Sequence, residues 1–445
     1  MTDIPLQMDL FEGVPFALQV LFWIALSITL TSFVSVFTLV AAAAQSRRRG
    51  KREHPEMELH ESDFLWVFLV PALNEQVTIA DSVARLQATA ASNAVIFVIN
   101  DGSDDATGSI LAAIDEPRLR VLTRVVPHAR VGKAAALNEA FRHVRDDLLT
   151  EDRFARWTPD RVIIGVVDAD GRLAPQAPDA VAWHFSNPRM GGVQTLVRIY
   201  NRQGFLRFSQ DVEFGSFGFV YQAGRSAWGT ANMGGNGQFN RLSALDEIAD
   251  ETGPWRDRLT EDQDLGVRLL QAGWSGAQEN RVTIEQQGLA SLRRLYRQRI
   301  RWAQGSWQAL SLLGGTWGTR TSLIGRIDAV YYLLTPVLQL IVGMVFAATL
   351  VLAAVFDVPF VPGSVIVLVL FLSLGFGPGF LSLLLRGDGW RGVLLAVLFT
   401  IPYAAYSWLV FPVLAVSLIR QLMGRTGWTK TAREALDITD DTGPG

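Results

Sequence analysis

The chain of 445 residues contains no cysteine. Disulfides, thiolate nucleophiles and cysteine-held zinc or iron–sulfur centres are therefore excluded. Its five histidines are dispersed, which argues against a histidine-rich metal site. Basic charge is not in excess: 40 Lys and Arg stand against 43 Asp and Glu, for a net charge of −3. No global positive field invites nucleic acid. Internal repeats and low-complexity segments are absent. What the chain has in quantity is apolar residues, 49%, with a mean hydropathy of +0.22. Charged residues still make up 19%. A wholly embedded chain would carry fewer charges, and a wholly soluble one would lack apolar runs beyond 20 residues, so a globular part and membrane spans share this chain.

Residues 16–44 form an uncharged apolar run long enough to cross about 30 Å of hydrocarbon. Acidic residues precede it (Asp3, Asp9, Glu12), unlike a secretory signal. The basic cluster 47–52 follows it, so the positive-inside rule places that end in the cytoplasm and the N-terminus outside. Apolar runs resume at 329–355, 361–385 and 392–419. The basic tail from Arg420 to Arg433 again favours the cytoplasm, yet three full spans would leave it outside. One of the three, interrupted by Pro402 and Pro412 or by Gly375, Gly377, Pro378 and Gly379, is expected to be broken or re-entrant. The expected units are a transmembrane helix over 1–45, a cytosolic domain over 62–290, interfacial amphipathic helices over 291–328, a membrane region over 329–420 and a cytosolic tail over 421–445.

In the middle region, short β-branched and aromatic runs alternate with helical patterns. Strands are predicted at Phe64–Val70, Ala94–Ile99, Val121–Val125 and Val162–Val167, and helices at Glu75–Leu86, Asp105–Ile114 and Lys133–Val144. Repeated βα units of this size predict a mostly parallel sheet covered on both faces. Ligands of such sheets sit beyond the carboxyl ends of the strands. There the sequence places Asn74 and Glu75, then Asn100-Asp101-Gly102-Ser103, then Asp168-Ala169-Asp170-Gly171.

Side chains two apart at a strand end point the same way, so Asp168 and Asp170 can share a cation. Hard oxygen ligands suit Mg2+ or Mn2+, with a nucleotide diphosphate completing the shell. A solvated acidic turn is the plainer reading. Gly132-Lys133 opens a helix and could meet a phosphate, or be ordinary surface. Thr260-Glu261-Asp262-Gln263 fits a capping box; it also fits a carboxylate, Asp262, held at a helix start as a general base. Gln298, Arg301 and Trp302 lie at i, i+3 and i+4 of a basic helical stretch and so share one face. They could grip a diphosphate and a sugar ring, while Arg293, Arg294 and Arg297 suit anionic headgroups.

Taken in order, Asp-Gly, Asp-x-Asp, Thr-Glu-Asp, Gln-x-x-Arg-Trp and then apolar spans, the chain resembles the family 2 membrane glycosyltransferases. Cellulose, chitin, hyaluronan and poly-N-acetylglucosamine synthases are among them. The likeness covers about 70–310 strongly and the membrane part loosely. It implies a Rossmann-like α/β domain of the glycosyltransferase A type joined to an α-helical transmembrane bundle in the cell membrane. By that likeness Asn74, Glu75, Asp101, Lys133 and Asp168 bind the donor nucleotide, Asp101 at the uridine and Lys133 near the phosphates. Asp170, with Asp168, holds Mg2+ or Mn2+. Asp262, beside Glu261, is the catalytic base. Gln298, Arg301 and Trp302 hold the diphosphate and the acceptor end, with Asn236 and Gln238 near the acceptor. Trp428, Lys430 and Arg433 belong to a segment like the family's gating loop; Trp-Gly-Thr-Arg at 317–320 is a second candidate that precedes the spans.

The implied activity is inverting transfer from a UDP-sugar of the glucose or N-acetylglucosamine type to build a β-linked polysaccharide. The alternative is one or a few transfers to a lipid acceptor such as diacylglycerol. A single N-terminal span and a bundle small for a polymer channel depart from several relatives and keep that alternative open. The stretch Val166–Gly171 is also similar to the nucleophile motif of haloacid-dehalogenase-like phosphatases. That motif normally ends in Thr or Val near a domain start, whereas Arg172 follows here and three βα units precede. A transporter would need polar groups within its spans, and the four apolar runs contain almost none.

Overall fold

The computed structural model describes residues 15–50, 59–356, 377–386 and 389–425, with the isolated positions 369 and 373. After the long apolar helix α1 (Phe16–Gly50), the globular unit opens with β1 (Leu65–Ala72), α2 (Ile79–Gln87), β2 (Ala94–Asn100), α3 (Thr107–Ala112), β3 (Leu119–Thr123), α4 (Lys133–Asp146) and β4 (Val162–Val166). These are the seven elements expected from periodicity, displaced by a few residues at their ends. There follow β5 (Arg172–Leu173), α5 (Ala177–Ala182), β6 (Met190–Ile199), α6 (Phe205–Ser216), a π-helical segment (Phe217–Gln222) and α7 (Ala223–Ser226). Then come β7 (Gln238–Arg241), α8 (Leu242–Ile248), α9 (Glu261–Gln271), β8 (Ser275–Gln286), α10 (Leu292–Ala309) and α11 (Leu313–Trp317).

One eight-stranded sheet results, in the order β3-β2-β1-β4-β7-β6-β8-β5. Its first four strands are parallel, as the βα alternation predicts. The rest is mixed, not mostly parallel: β7 runs antiparallel to both β4 and β6, and β5 runs antiparallel to β8. Because β7 enters from the edge at which β4 ends, the loop before it lies across the carboxyl end of the sheet. Residues Leu65–Val70 are wholly buried, since both faces are covered. Phe64, Trp66 and Phe68 pack with Ile79, Val83 and Leu86 of α2 on one side. Leu65, Val67 and Leu69 pack with Leu137 and Phe141 of α4, and with Leu265 of α9, on the other.

Beyond the sheet run α12 (Leu323–Phe356), a helical stretch at 377–385, α13 (Gly389–Ser407) and α14 (Val410–Leu422). Three helical stretches among the described residues are long and apolar enough to cross a membrane: Phe16–Gln45, Leu323–Ala348 and Gly389–Leu422. The expected run 361–385 falls largely outside the described residues. Helix α12 begins six residues before the predicted apolar run at 329, across Asp328, because that carboxylate is neutralised internally by Arg225 of α7 at 2.8 Å. In α10, Arg293, Arg294 and Arg297 are exposed while Leu295, Ile300 and Trp307 are buried. Helix α10 is thus amphipathic, with arginines on its exposed face and apolar side chains on its buried one. Trp307 donates its indole N–H to Ser417 of α14 at 2.9 Å, docking the globular unit on the apolar helices.

Candidate active site

The strands of the parallel half deliver their first polar residues to a common edge, and there a cavity of about 340 Å³ opens. It is lined by Glu75 after β1, Asp101 after β2, Lys133 at the start of α4, and Asp168 and Asp170 after β4. Asn236 before β7, Glu261 and Asp262 at the start of α9, and Gln298, Arg301 and Trp302 of α10 complete it. Residues separated by more than two hundred positions thus share one chamber.

Asp101 is buried. Its carboxylate pairs with the Arg124 guanidinium and accepts the Arg130 amide N–H at 3.0 Å. Arg124 also reaches Glu139 of α4 at 2.8 Å, tying the end of β3 to both neighbours. Both members of the Arg124–Asp101 pair lie almost out of solvent. Replacing Arg124 by Met strands a buried carboxylate, a loss of about 3–5 kcal/mol; thermal unfolding of the purified variant should show a correspondingly lowered midpoint.

The Lys133 ammonium sits among the acids, 2.7 Å from Asp168 Oδ1 and 3.6 Å from Glu261 Oε1. Burial works against its charge, but Asp168 and Glu261 outweigh it and hold the amine above its ordinary range. Asp168 is positioned from behind: its amide N–H donates to Asn236 Oδ1 at 3.0 Å. Asp170 is buried and accepts the Gln287 amide N–H at 3.1 Å. Among the described residues no group of three or more His, Cys, Asp or Glu side chains forms a ready-made metal cage. Asp168 and Asp170 nevertheless supply hard oxygen donors to the same cavity. Two carboxylates suit a cation whose remaining positions are filled by water and substrate phosphate.

Asp262 is half-buried at the cavity wall. Desolvation and the adjacent Glu261 push its carboxyl up to about 7, against the pull of Lys133. The capping box expected at Thr260 is not formed: Thr260 makes no side-chain cap, and Asp262 Oδ1 accepts the Gln263 amide N–H at 2.8 Å. The carboxylate is left facing the cavity. Gly235, with φ +81°, presses on it. A Cβ there would lie 2.9 Å from Asp262 Oδ2.

Helix α10 reaches this wall because Gly305 has no side chain. A Cβ at that position would lie 2.2 Å from Thr260 Oγ1. Gln308 accepts the Leu259 amide N–H at 3.1 Å and completes the contact. Trp302 is steadied by Phe214, edge-on at 6.1 Å, and by the Arg299 guanidinium, 4.2 Å above its ring. Arg299 is itself fixed by Glu213 of α6 at 2.6 Å.

Two expected residues lie off the cavity. Asn74, with φ +54°, is exposed and turns back to donate to Asp104 at 2.6 Å, linking two loop tips. Gln238 is buried in β7 and accepts the Gly235 amide N–H at 3.2 Å, shaping the loop that holds Asn236. Trp428, Lys430 and Arg433 lie outside the described residues. Sequence reasoning missed Arg124, Arg299, Gly305 and Tyr332, the last a cavity residue from α12. Only Gly305 left a signal: glycine inside a helix costs about 1 kcal/mol and asks for a reason.

The sequence model of the family described as glycosyltransferase like family 2 matches residues 66–305. The chain is 30% identical over 300 residues to the β-monoglucosyldiacylglycerol synthase of Trichormus variabilis, covering 66% of this chain and 58% of that one. Over 246 residues it is 28% identical to the corresponding synthase of Synechocystis, covering 54% and 47%. It is also 25% identical over 285 residues to the poly-β-1,6-N-acetyl-D-glucosamine synthase of Staphylococcus aureus, covering 62% and 64%. The chain thus spans about half the length of the curated synthases it first matches. A mannosyltransferase from Pyrobaculum calidifontis, solved in complex with GDP-Man and Mn2+, shares the fold. The TM-score is 0.58 at 18% identity, over 91% of this chain and 99% of that one.

Proposed function

This chain belongs to the glycosyltransferase like family 2, and from that membership we propose that it is an inverting enzyme transferring a hexose or N-acetylhexosamine from a UDP-sugar to a hydroxyl at the membrane. The observation that carries the reading is the single cavity shared by the strand-end acids, Asp262 and the Gln298–Trp302 face. A nucleotide diphosphate needs acceptors for its base and ribose, cations for its phosphates and a base near the reacting carbon. Asp101 and Glu75 serve the first need, Lys133 and Arg301 the second, and Asp262 the third.

Asp262 takes the proton from the acceptor hydroxyl as its oxygen bonds to the anomeric carbon. The bond to the diphosphate breaks on the opposite side, so an α-linked donor gives a β-linked product. Arg301 neutralises charge growing on the departing phosphate. Asp168 and Asp170 would hold Mg2+ or Mn2+, which supplies further neutralisation of that charge when bound. Trp302, held by Arg299 and Phe214, offers a flat face to a sugar. The globular unit and the basic flanks of the spans lie on the cytoplasmic side, where UDP-sugars are available.

Two results follow. Because the base works only when ionised, and its pKa is raised, kcat/KM should climb with pH through about 7 and level off above it; a pH profile of kcat/KM in purified membranes checks this limb. Chelation with EDTA should abolish transfer, with Mn2+ or Mg2+ restoring it and Ca2+ doing so poorly. The overall test is incubation of membranes with a panel of radiolabelled UDP-sugars and sizing of the product. One donor should label a polymer or a discrete glycolipid. Release of free sugar phosphate without any glycoside would overturn the reading.

A further inference from the structure

Helix α12 is long and apolar enough to cross a membrane, yet it delivers one phenol to the candidate active site. Tyr332 lines the same cavity as Asp262 and Trp302. Its ring is held from behind. The Arg225 guanidinium of α7 lies 4.4 Å from the ring centroid, within the reach of a cation–π attraction. Arg225 is fixed in turn by Asp328 at 2.8 Å. Asp328 stands four residues before Tyr332, on the same face of α12. Both side chains of the ion pair are only 6% exposed, so water does not compete for the clamp.

Two buried amides meet the phenol oxygen. Asn232 Oδ1 accepts the Met233 amide N–H at 2.8 Å. Its Nδ2 therefore faces the other way and donates to the Tyr332 oxygen at 3.4 Å. Gln222, the last residue of the π-helical segment, holds Asn232 reciprocally. It accepts the Asn232 amide N–H at 3.2 Å and donates to the Asn232 carbonyl at 3.1 Å. Helix α9 can approach because residue 266 is glycine; a Cβ there would lie 1.6 Å from Asn232 Oδ1. Gln263 of α9 is the second amide bonded to the phenol. Its Oε1 accepts from Thr260 Oγ1 at 3.3 Å and from Ser306 Oγ at 3.4 Å, which leaves its N–H groups for Tyr332. The backbone N–H of Gln263 also holds Asp262 Oδ1 at 2.8 Å. One residue thus aims both the base and the phenol, and the Asp262 charge acts on the phenol.

A phenol both accepts through its oxygen and donates its O–H. Here two amides take up the accepting side, and among the described residues the O–H has no acceptor. The cavity is where it finds one. Resting on the glycosyltransferase reading above, we propose that Tyr332 is a catalytic residue: its O–H donates to the oxygen of the acceptor hydroxyl and turns that hydroxyl's own proton toward Asp262. The acceptor proton then passes to Asp262, the acceptor oxygen bonds to the anomeric carbon, and UDP departs with the bonding pair. Tyr332 keeps its proton throughout. A helix of membrane-spanning length thereby supplies a group to the reacting atoms. A mere link between α12 and the globular unit would need no hydroxyl at the cavity, because Arg225 and Asp328 already make that link.

Membranes holding the full chain, supplied with the radiolabelled UDP-sugar that the wild type consumes, test this. Tyr332→Phe keeps the ring and its contact with Arg225 and removes only the O–H. Asn232 retains the Gln263 carbonyl as a partner at 3.4 Å, so the wall keeps its fold. For glycoside formation kcat/KM should fall about tenfold, the worth of one hydrogen bond to a reacting group. UDP affinity should stay within about twofold of wild type, the scale of a change remote from the nucleotide. The acid limb of kcat/KM should stay near pH 7, because the surroundings of Asp262 are otherwise intact. Tyr331→Phe removes the neighbouring hydroxyl, which bonds Ser32 at 2.5 Å and lies outside this cavity; it should keep the wild-type rate. Wild-type kcat/KM in Tyr332→Phe would overturn the proposal. So would a displaced limb or a loss of UDP binding in that variant, since the phenol would then act only by shaping the wall. An equal loss in Tyr331→Phe would overturn it as well. A wild-type chain that neither binds UDP nor consumes any UDP-sugar would instead refute the glycosyltransferase reading.

Discussion

Asp262→Asn should leave UDP affinity unchanged and lower the rate of transfer by about 10²–10⁴, the usual worth of a general base. The side chain keeps its shape and its bond from the Gln263 amide, so the start of α9 stays in place. What it loses is the capacity to take a proton. The carboxyl is suited to that task because its surroundings favour the protonated form: it sits beside Glu261 in a partly desolvated wall, and Lys133 only partly offsets both. Kinetics on the variant should also lose the acid limb near pH 7. A variant with near wild-type turnover, or one that keeps the limb, would show that another group activates the acceptor.

Gly305→Val should be nearly as severe without touching any reacting group. The first atom of the new side chain would lie 2.2 Å from Thr260 Oγ1 and 2.7 Å from Thr260 Cβ. Helix α10 must then withdraw from the start of α9, which moves Trp302 and Arg301 away from Asp262. Overpacking costs about 1–3 kcal/mol of stability, and a displacement on the order of 1 Å in a reactive geometry costs about 10² in rate. The check is kcat for transfer beside UDP affinity, with Gly305→Ala expected to fall between the two extremes. Equal activity of the valine variant would mean that the α9–α10 contact does not position the site.

The strand-end acids were legible because physics dictates their place. A parallel strand that is buried on both faces ends in its first polar residue, and that residue meets the ligand edge. Asp101, Asp168 and Asp170 follow from this rule, and helical spacing brings Gln298, Arg301 and Trp302 to one face. Pairings across long separations were not legible. Nothing in the stretch around Arg124 says that its guanidinium closes on Asp101, and nothing near Lys133 announces Asp168 at 2.7 Å. Antiparallel β7 was missed because four residues between loops carry no periodicity. Asn74 was placed in the site by position after β1, yet its left-handed backbone turns the side chain toward Asp104. That α12 starts ahead of the apolar run at 329 was not legible either: a charge reads as the end of such a run unless its partner is known, and Arg225 lies 103 residues from Asp328. Tyr332 belongs to a helix that reads from sequence as membrane filler, and only the packing of α12 against the globular unit brings it to the cavity.

The stereochemistry of the product tests the central claim most directly. With UDP-α-sugar labelled with 13C at the anomeric carbon, the one-bond carbon–hydrogen coupling of the purified glycoside reports its configuration. A single displacement driven by Asp262 predicts a β-glycoside from the first turnover, whatever the acceptor. An α-glycoside would contradict it, because retention needs either two displacements or attack from the face that the diphosphate leaves.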